Sequence, residues 1–499
     1  MVKTRMTGEI TGSTRRLALG AIASGVVNII KVGLQLLLLP VMARLLGPSE
    51  FGIYALALPT VSLVALLADG GLGATLAREP ESASLIWSSV FWFLLLAGIA
   101  LALGASLFGV AMGHIVAQPR IAPMIGILSI SIVFLVLGVP PSARLARRKD
   151  LGTIAAADLV ANLAGAALAI VLAMANFGAW SLIAQYVTVY AIRSVFFNLA
   201  AFGLPRLEFS FAVVRSHLVT GGLIVMARLV DYASRIGENV LIDRIFGTPV
   251  LGSYTFANQI SRFATESIGN VTWVTLYVQA LTGDPRDVSE IHNRLCRLVA
   301  EILFPATFLA AAAAPELVET LLGPQWTELT PMLRILLPVG AFMVVANQVS
   351  AILLAINRFG IAFWCAVGLS VARLAAVVSG TWIGLVGAVY GIAIVNLGYI
   401  VVLLIYAAPP TGCRPIAMLR GLVGPTLASL AAAATCLLML RAGAPTPLWT
   451  MTSLAVGVGA FAGSMWIIDR RGLGEDLETV RRIMTGHKIA MKEHQTRLP

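Results

Sequence analysis

The sequence predicts an all-α polytopic membrane protein of about fourteen transmembrane helices: two six-helix bundles related by a parallel repeat, then two further helices. Three observations carry that prediction. Of 499 residues, 58% are apolar and 12% charged, with a mean hydropathy of +0.89, whereas soluble domains are about a quarter charged. The apolar residues lie in runs of the length a helix needs to cross a bilayer, without the alternation of an outer-membrane barrel. A loop motif also recurs at a fixed distance along the chain. This composition excludes a water-soluble enzyme, a disordered chain and a coiled coil, because each needs polar faces that are missing here.

The first run, residues 17–39, follows Lys3, Arg5, Arg15 and Arg16 at a cytosolic N-terminus, residues 1–16. It is too long for a signal h-region and has no convincing cleavage site, so it reads as an uncleaved span. Runs at 51–69, 85–109, 121–141, 154–175 and 178–202 complete the N-terminal bundle, 17–202. A cytosolic linker, 203–216, leads to runs at 217–243, 252–281, 297–317, 332–356, 360–380 and 385–407, the C-terminal bundle of 217–407. Runs at 420–440 and 447–468 are the two extra helices, and 469–499 is a basic cytosolic tail. In that tail Leu473, Leu477, Val480 and Met484 could line the apolar side of a helix lying on the inner leaflet. Pro59, Pro305, Pro338 and Pro425 fall inside runs, where kinks or broken helices are tolerated if the freed carbonyls find partners.

The net charge of +11 and pI near 9.9 raise the question of a polyanionic partner, and the positions of the basic residues answer it. With fourteen spans, 24 of the 35 basic residues fall on the side of the N-terminus; five lie opposite, namely Arg44, Arg120, Arg244, Arg334 and Arg441. By the positive-inside rule both termini are cytosolic, and the excess charge orients the chain without any nucleic acid. Cys296, Cys365, Cys413 and Cys436 form no close pair, so neither disulfide nor zinc is indicated.

The recurring motif is Arg44-Leu-Leu-Gly47-Pro-Ser-Glu-Phe51-Gly52-Ile-Tyr54 against Arg244-Ile-Phe-Gly247-Thr-Pro-Val-Leu251-Gly252-Ser-Tyr254. Arg, Gly, Gly and Tyr coincide at a separation of 200 residues, or six spans, so both copies have one orientation in the membrane. Parallel repeats of this kind characterise transporters whose halves rock about a central site.

Ionisable residues at bilayer depth are costly and usually functional. The seventh span carries Arg228, Asp231, Arg235 and Glu238 within an arc of roughly 80°, a single charged stripe. Arg262 and Glu266 lie on the eighth span with Asn258 and Asn270, and Lys31 on the first with Asn28 and Gln35. Asp158, Arg193, Glu301 and Arg373 stand alone on the fifth, sixth, ninth and eleventh. The basic members Lys31, Arg193, Arg228, Arg235, Arg262 and Arg373 suit an anionic head group. The carboxylates Asp158, Asp231, Glu238 and Glu266 suit a coupling cation. The spacing of the seventh-span charges also allows intrahelical pairing, which would make the stripe a structural fastener.

Together the first repeat loop, Asp69-Gly-Gly-Leu72, Arg144-Leu-Ala-Arg147-Arg148 and Gly323-Pro-Gln-Trp326 resemble the Wzx-type oligosaccharide flippases. These form a polysaccharide transporter family within the superfamily that includes the MATE drug exporters and the lipid II flippase MurJ. Asp69-Gly70 departs from the family's commoner Asp-Leu or Asp-Phe pair. The resemblance implies flipping of undecaprenyl-pyrophosphate-linked repeat units across the bacterial inner membrane, for exopolysaccharide, capsule or O-antigen, coupled to H⁺ or Na⁺. It implies a lipid-linked oligosaccharide and membrane lipids as partners, with a polymerase or export protein beside them, and no cofactor.

The competing readings are a MATE-like drug or cation antiporter, a lipid II flippase and, from another class, a membrane glycan polymerase or ligase. Twelve spans and a carboxylate-rich cavity would mark the first; a sizeable far-side loop would mark the enzyme, and the far-side loops here are short. Two motifs are spellings only. Gly457-Val-Gly459-Ala-Phe-Ala462 sits inside an apolar span where small residues such as Gly459 and Gly463 serve helix packing. Asn270-Val-Thr272 is a glycosylation sequence buried in the eighth span.

Overall fold

A computed structural model describes residues 2–201, 203, 205–282, 285–356, 358–406, 415–443 and 446–469. Cys413, the predicted tail helix and the side chains of Asn28, Arg228, Glu266 and Asn270 lie outside the described residues.

The described residues are mainly helical, with α1 at Val2–Asp69, α2 at Leu72–Leu76, α3 at Ser84–Val116, α4 at Ile121–Arg147, α5 at Leu151–Met174 and α6 at Trp180–Ala201. After the linker come α7 at Phe211–Phe246, α8 at Thr248–Thr282, α9 at Pro285–Ala312, α10 at Ala314–Leu321 and a 3-10 turn at Pro324–Trp326. The last five are α11 at Leu329–Ala355, α12 at Phe359–Gly380, α13 at Leu385–Tyr406, α14 at Pro415–Ala442 and α15 at Pro447–Ile468. No strand occurs among the described residues.

Eleven of these helices are long and apolar enough to cross a membrane. The expected runs overlap these helices without matching them end to end: the first two are the arms of α1 on either side of Gly47, whose φ of 75° and ψ of 171° break the helical path, the run 178–202 begins before α6, and the run 297–317 is divided between α9 and α10. α7 and α8 are not among the eleven. α7 starts at Phe211, inside the stretch expected to be linker. The prolines at 59, 305, 338 and 425 are accommodated within continuous helices.

Two compact units can be distinguished. One comprises Met1–Asn258, Leu321–Met332 and Phe363–Val395; the other comprises Gln259–Thr320, Leu333–Ala362 and Asn396–Pro499. In the first, α3 packs on α4, α4 and α5 on α6, and α1 on α4, α5 and α7. Its buried side chains include Val90, Leu94, Leu128, Ile132 and Val136. Asp150 starts α5 by accepting the Thr153 N–H at 3.1 Å, closing one of the open donors of the first turn. In the second unit α14 packs on α9 and α15, around Leu309, Ala312, Ala313, Ala432 and Cys436. Here the expected small-residue packing is at Gly457, where a side chain would meet Leu309 and Cys436; Gly459 and Gly463 face open space. Large apolar side chains such as Leu107, Leu199 and Ile467 point outward, as a chain whose solvent is lipid requires.

Candidate functional site

The polar interior of the first unit is built mainly on α7. Arg235 Nη2 meets Asp231 Oδ2 at 2.6 Å, one turn earlier, and the Arg235 guanidinium lies 5.3 Å from the Tyr232 ring centre. One turn further on is Glu238, whose side chain is only 3% exposed. Its Oε1 accepts from Arg373 Nη2 of α12 at 3.2 Å and from the Tyr254 hydroxyl of α8. The neighbouring Asn239 donates to the Ala55 carbonyl of α1 at 2.7 Å. A buried carboxylate is tolerable only when such partners replace its hydration. The Nε–H groups of Arg235 and Arg373 are buried without an acceptor among the described residues, leaving donor capacity beside the ion pairs.

A second charged pair joins α5 to α6, where Arg193 Nε lies 2.7 Å from Asp158 Oδ1. Phe197 and Tyr190 flank its guanidinium, with ring centres at 5.6 and 5.9 Å. Tyr186 packs on Tyr190 at 4.9 Å between ring centres.

Three cations expected to bind substrate thus face three carboxylates expected to couple an ion: Arg193 with Asp158, Arg235 with Asp231, and Arg373 with Glu238. All three cations are therefore neutralised by a carboxylate partner. Only the Asp231–Arg235 pair follows the i,i+4 spacing that the sequence shows; Glu238 turns to α12 instead. Lys31 is half-buried on α1. Arg262 is half-buried on α8 and belongs to the second unit. The sequence marks Tyr254 as a repeat residue, and the contact of its hydroxyl with Glu238 is one that sequence spacing does not reveal.

The repeat loops themselves meet. Gly47 and Gly247 have nearly the same backbone, φ 75° and ψ 171° against φ 90° and ψ 163°, and Gly323 repeats it at φ 93° and ψ 174°. L-residues seldom reach this region. A side chain on Gly52 would strike the Thr248 carbonyl, and one on Gly252 the Pro48 carbonyl, so the two copies cross backbone to backbone. Phe51 and Phe256 close over Trp326, with ring centres 5.6 and 4.8 Å from it. The Trp326 indole N–H donates to the Ala43 carbonyl at 3.1 Å. Outside this crossing, Glu50 accepts two bonds from Arg120, at 2.8 and 2.9 Å, and one from the Ala179 N–H at 2.6 Å. Burial alone would raise the Glu50 carboxyl, but these donors outweigh it and hold the pKa below the usual carboxylate range.

The polysaccharide biosynthesis protein family matches residues 41–331, which contain both repeat loops and the whole of α7 and α8. The chain belongs to that family. Its relatives include the lipopolysaccharide biosynthesis protein WzxC of Escherichia coli, 24% identical over 76% of this chain and 78% of WzxC. The succinoglycan biosynthesis transport protein ExoT of Rhizobium meliloti is 27% identical over 73% of this chain and 74% of ExoT. Among solved structures the lipid II flippase MurJ, in an inward closed conformation, superposes with a TM-score of 0.73 at 12% identity, over 91% of this chain and 99% of MurJ. A multidrug-resistance MATE transporter in an inward-facing conformation gives 0.65 at 16% identity, over 79% of this chain and 98% of that one. The family member described here is therefore a multi-pass membrane protein with a MurJ- and MATE-like fold, in a family of polysaccharide biosynthesis transporters.

Proposed function

We propose that the protein flips undecaprenyl-pyrophosphate-linked oligosaccharide units across the bacterial inner membrane by alternating access, with H⁺ or Na⁺ coupling, and that both termini face the cytosol. The observation that carries the reading is the buried Glu238, held within the helices by Arg373 and Tyr254. An incoming pyrophosphate competes with Glu238 for Arg373 and with Asp231 for Arg235. A proton or Na⁺ taken up by the released carboxylate keeps the interior neutral, which links cation uptake to anion binding. Lys31, Arg193, Arg228 and Arg262 extend the anion site, and Asp158 and Glu266 the cation site. Residues 17–202 and 217–407 act as the rocking halves.

The names of the relatives support a saccharide cargo, and the fold supports a lipid that keeps its tail in the bilayer. Only the head group has to cross. Each negative charge leaving a negative cytosol gains about 2.3 kcal/mol per 100 mV, so the membrane potential assists export.

The test uses purified protein in liposomes containing a labelled lipid-linked oligosaccharide. The label is expected to reach the opposite leaflet with its mass unchanged and with a rate that depends on an imposed H⁺ or Na⁺ gradient. A changed mass would point to a polymerase or ligase; export of cationic drugs without lipid movement would point to an antiporter.

A further inference from the structure

At the end of the first unit that carries the basic loops, the start of α3, the end of α4 and residues Gly203, Pro205 and Arg206 line a pocket of about 220 Å³. Two guanidiniums line it. Arg144 lies 4.8 Å from the ring centre of the buried Trp87 and donates to the Ala201 carbonyl at 3.3 Å. Arg206 donates to Ser84 Oγ at 3.2 Å, while its side chain is 67% exposed at the rim. The acidic group on the pocket wall, Glu81, is already engaged by both arms of Arg148, at 2.7 and 2.8 Å. That contact, more than the opposing effect of burial, holds the Glu81 carboxyl below the usual range. Arg144 has no carboxylate within ion-pair distance among the described residues, and Arg206 reaches Glu208 only at 4.0 Å. The pocket therefore presents net positive charge.

Its construction is fixed. The Arg206 N–H donates to Ser88 Oγ at 2.9 Å, and the Arg206 carbonyl accepts from the Trp92 indole at 2.9 Å. A second observation bears on the ligand: the chain leaving the pocket exposes an apolar side chain at every second position, Leu207 93%, Phe209 54% and Phe211 59%, with Glu208 and Ser210 between them. A soluble anion has no use for such a surface, whereas an acyl or prenyl chain does. We propose that this pocket is a binding site for a phosphate-bearing lipid, with the phosphate between Arg144 and Arg206 and the hydrocarbon along Leu207 and Phe209. Arginine suits the phosphate because its planar fork donates two parallel charge-assisted bonds. Such sites are the usual means by which membrane proteins hold anionic head groups.

Two lipids supply this chemistry, an anionic phospholipid of the bilayer and the diphosphate of a polyprenyl carrier. The test is native mass spectrometry of the detergent-solubilised full chain titrated with dioleoyl phosphatidic acid, farnesyl diphosphate or inorganic pyrophosphate. Arg206→Gln leaves the backbone bonds of its segment intact and is expected to weaken lipid binding about tenfold. Arg144→Gln is expected to do at least as much, and Lys149→Gln, which removes a neighbouring charge outside the pocket, to change little. Leu207→Ser should weaken both lipids and leave pyrophosphate unaffected. Tighter binding of phosphatidic acid assigns a resident phospholipid and tighter binding of farnesyl diphosphate a carrier; either supports the site. The proposal is overturned if Arg206→Gln binds as the parent does, if Lys149→Gln weakens binding equally, or if pyrophosphate binds as tightly as either lipid, an adventitious ion only. None of these outcomes depends on whether the protein flips a saccharide.

Discussion

The two copies of the repeat loop share a backbone and differ in what they fasten. In residues 44–54 the conserved geometry at Gly47 and Gly52 is tied outward: Glu50 clamps Arg120 and the Ala179 N–H, and Trp326 caps the Ala43 carbonyl. In residues 244–254 the same geometry is tied inward, because Tyr254 reaches the buried Glu238 and Thr248 donates to Asp243 at 2.8 Å. Position 38, the counterpart of Glu238, is leucine. One copy thus anchors the loop to its surroundings, and the other connects it to a charge within the helices. A duplicated scaffold can keep its backbone while one half acquires the ionisable group, since the backbone contact needs only the glycines.

The largest effect is expected where the copies touch. Gly252→Ala places a methyl on the Pro48 carbonyl, and a backbone atom cannot turn aside as a side chain can. We expect a loss of about 3 kcal/mol, seen as a lowered midpoint of thermal unfolding in detergent and reduced yield; Gly52→Ala should behave alike if the crossing is symmetric. A variant pair in which only one glycine matters would show that the copies do not bear on each other equally.

Next comes Glu238→Gln. It retains an acceptor for Tyr254 but leaves the Arg373 charge without its carboxylate, a change worth about 3 kcal/mol when a buried pair is broken. Transport in liposomes should fall at least tenfold and lose its dependence on the cation gradient, whereas Leu38→Gln, in the other copy, should leave that dependence intact.

Tyr254→Phe should be milder, about 1 kcal/mol for one hydrogen bond, and should shift the pH dependence of transport more than its maximum. Tyr54→Phe gives the matching measurement in the other copy. If both shift the pH profile alike, the division between anchoring and coupling copies fails.

The smallest effect concerns the outward clamp. Glu50 is held below its ordinary pKa, so its contribution to stability is present above the unfolded carboxylate value of about 4.3 and is lost as pH falls through the folded value. With Arg120 substantially exposed, the pair should contribute under about 1 kcal/mol. Glu50→Gln should therefore unfold slightly earlier at pH 7 than the parent, and the gap should narrow as the pH is lowered.

Much of this was legible in the residues. The apolar runs located every long helix, because a bilayer imposes one length and one polarity on whatever crosses it. The repeat was visible because its glycines are dictated by backbone conformation and close approach. Helix periodicity placed Asp231, Arg235 and Glu238 on one side of α7, and the i,i+4 spacing foresaw the first pair. It did not foresee that Glu238 would choose Arg373, 135 residues away, or Tyr254 on the next helix.

The sequence by itself determined the class of protein, the approximate places of its apolar helices, its repeat and the ionisable residues among those helices, since these follow from local composition and period. Only the tertiary structure decided which charge neutralises which, that Gly52 and Gly252 cross, and that Arg144 and Arg206 close a pocket around Trp87. Those choices depend on distances of a few ångströms between segments far apart in the chain, and Coulomb and hydrogen-bond energies are decided at that range, with no trace in the spacing of residues along one helix.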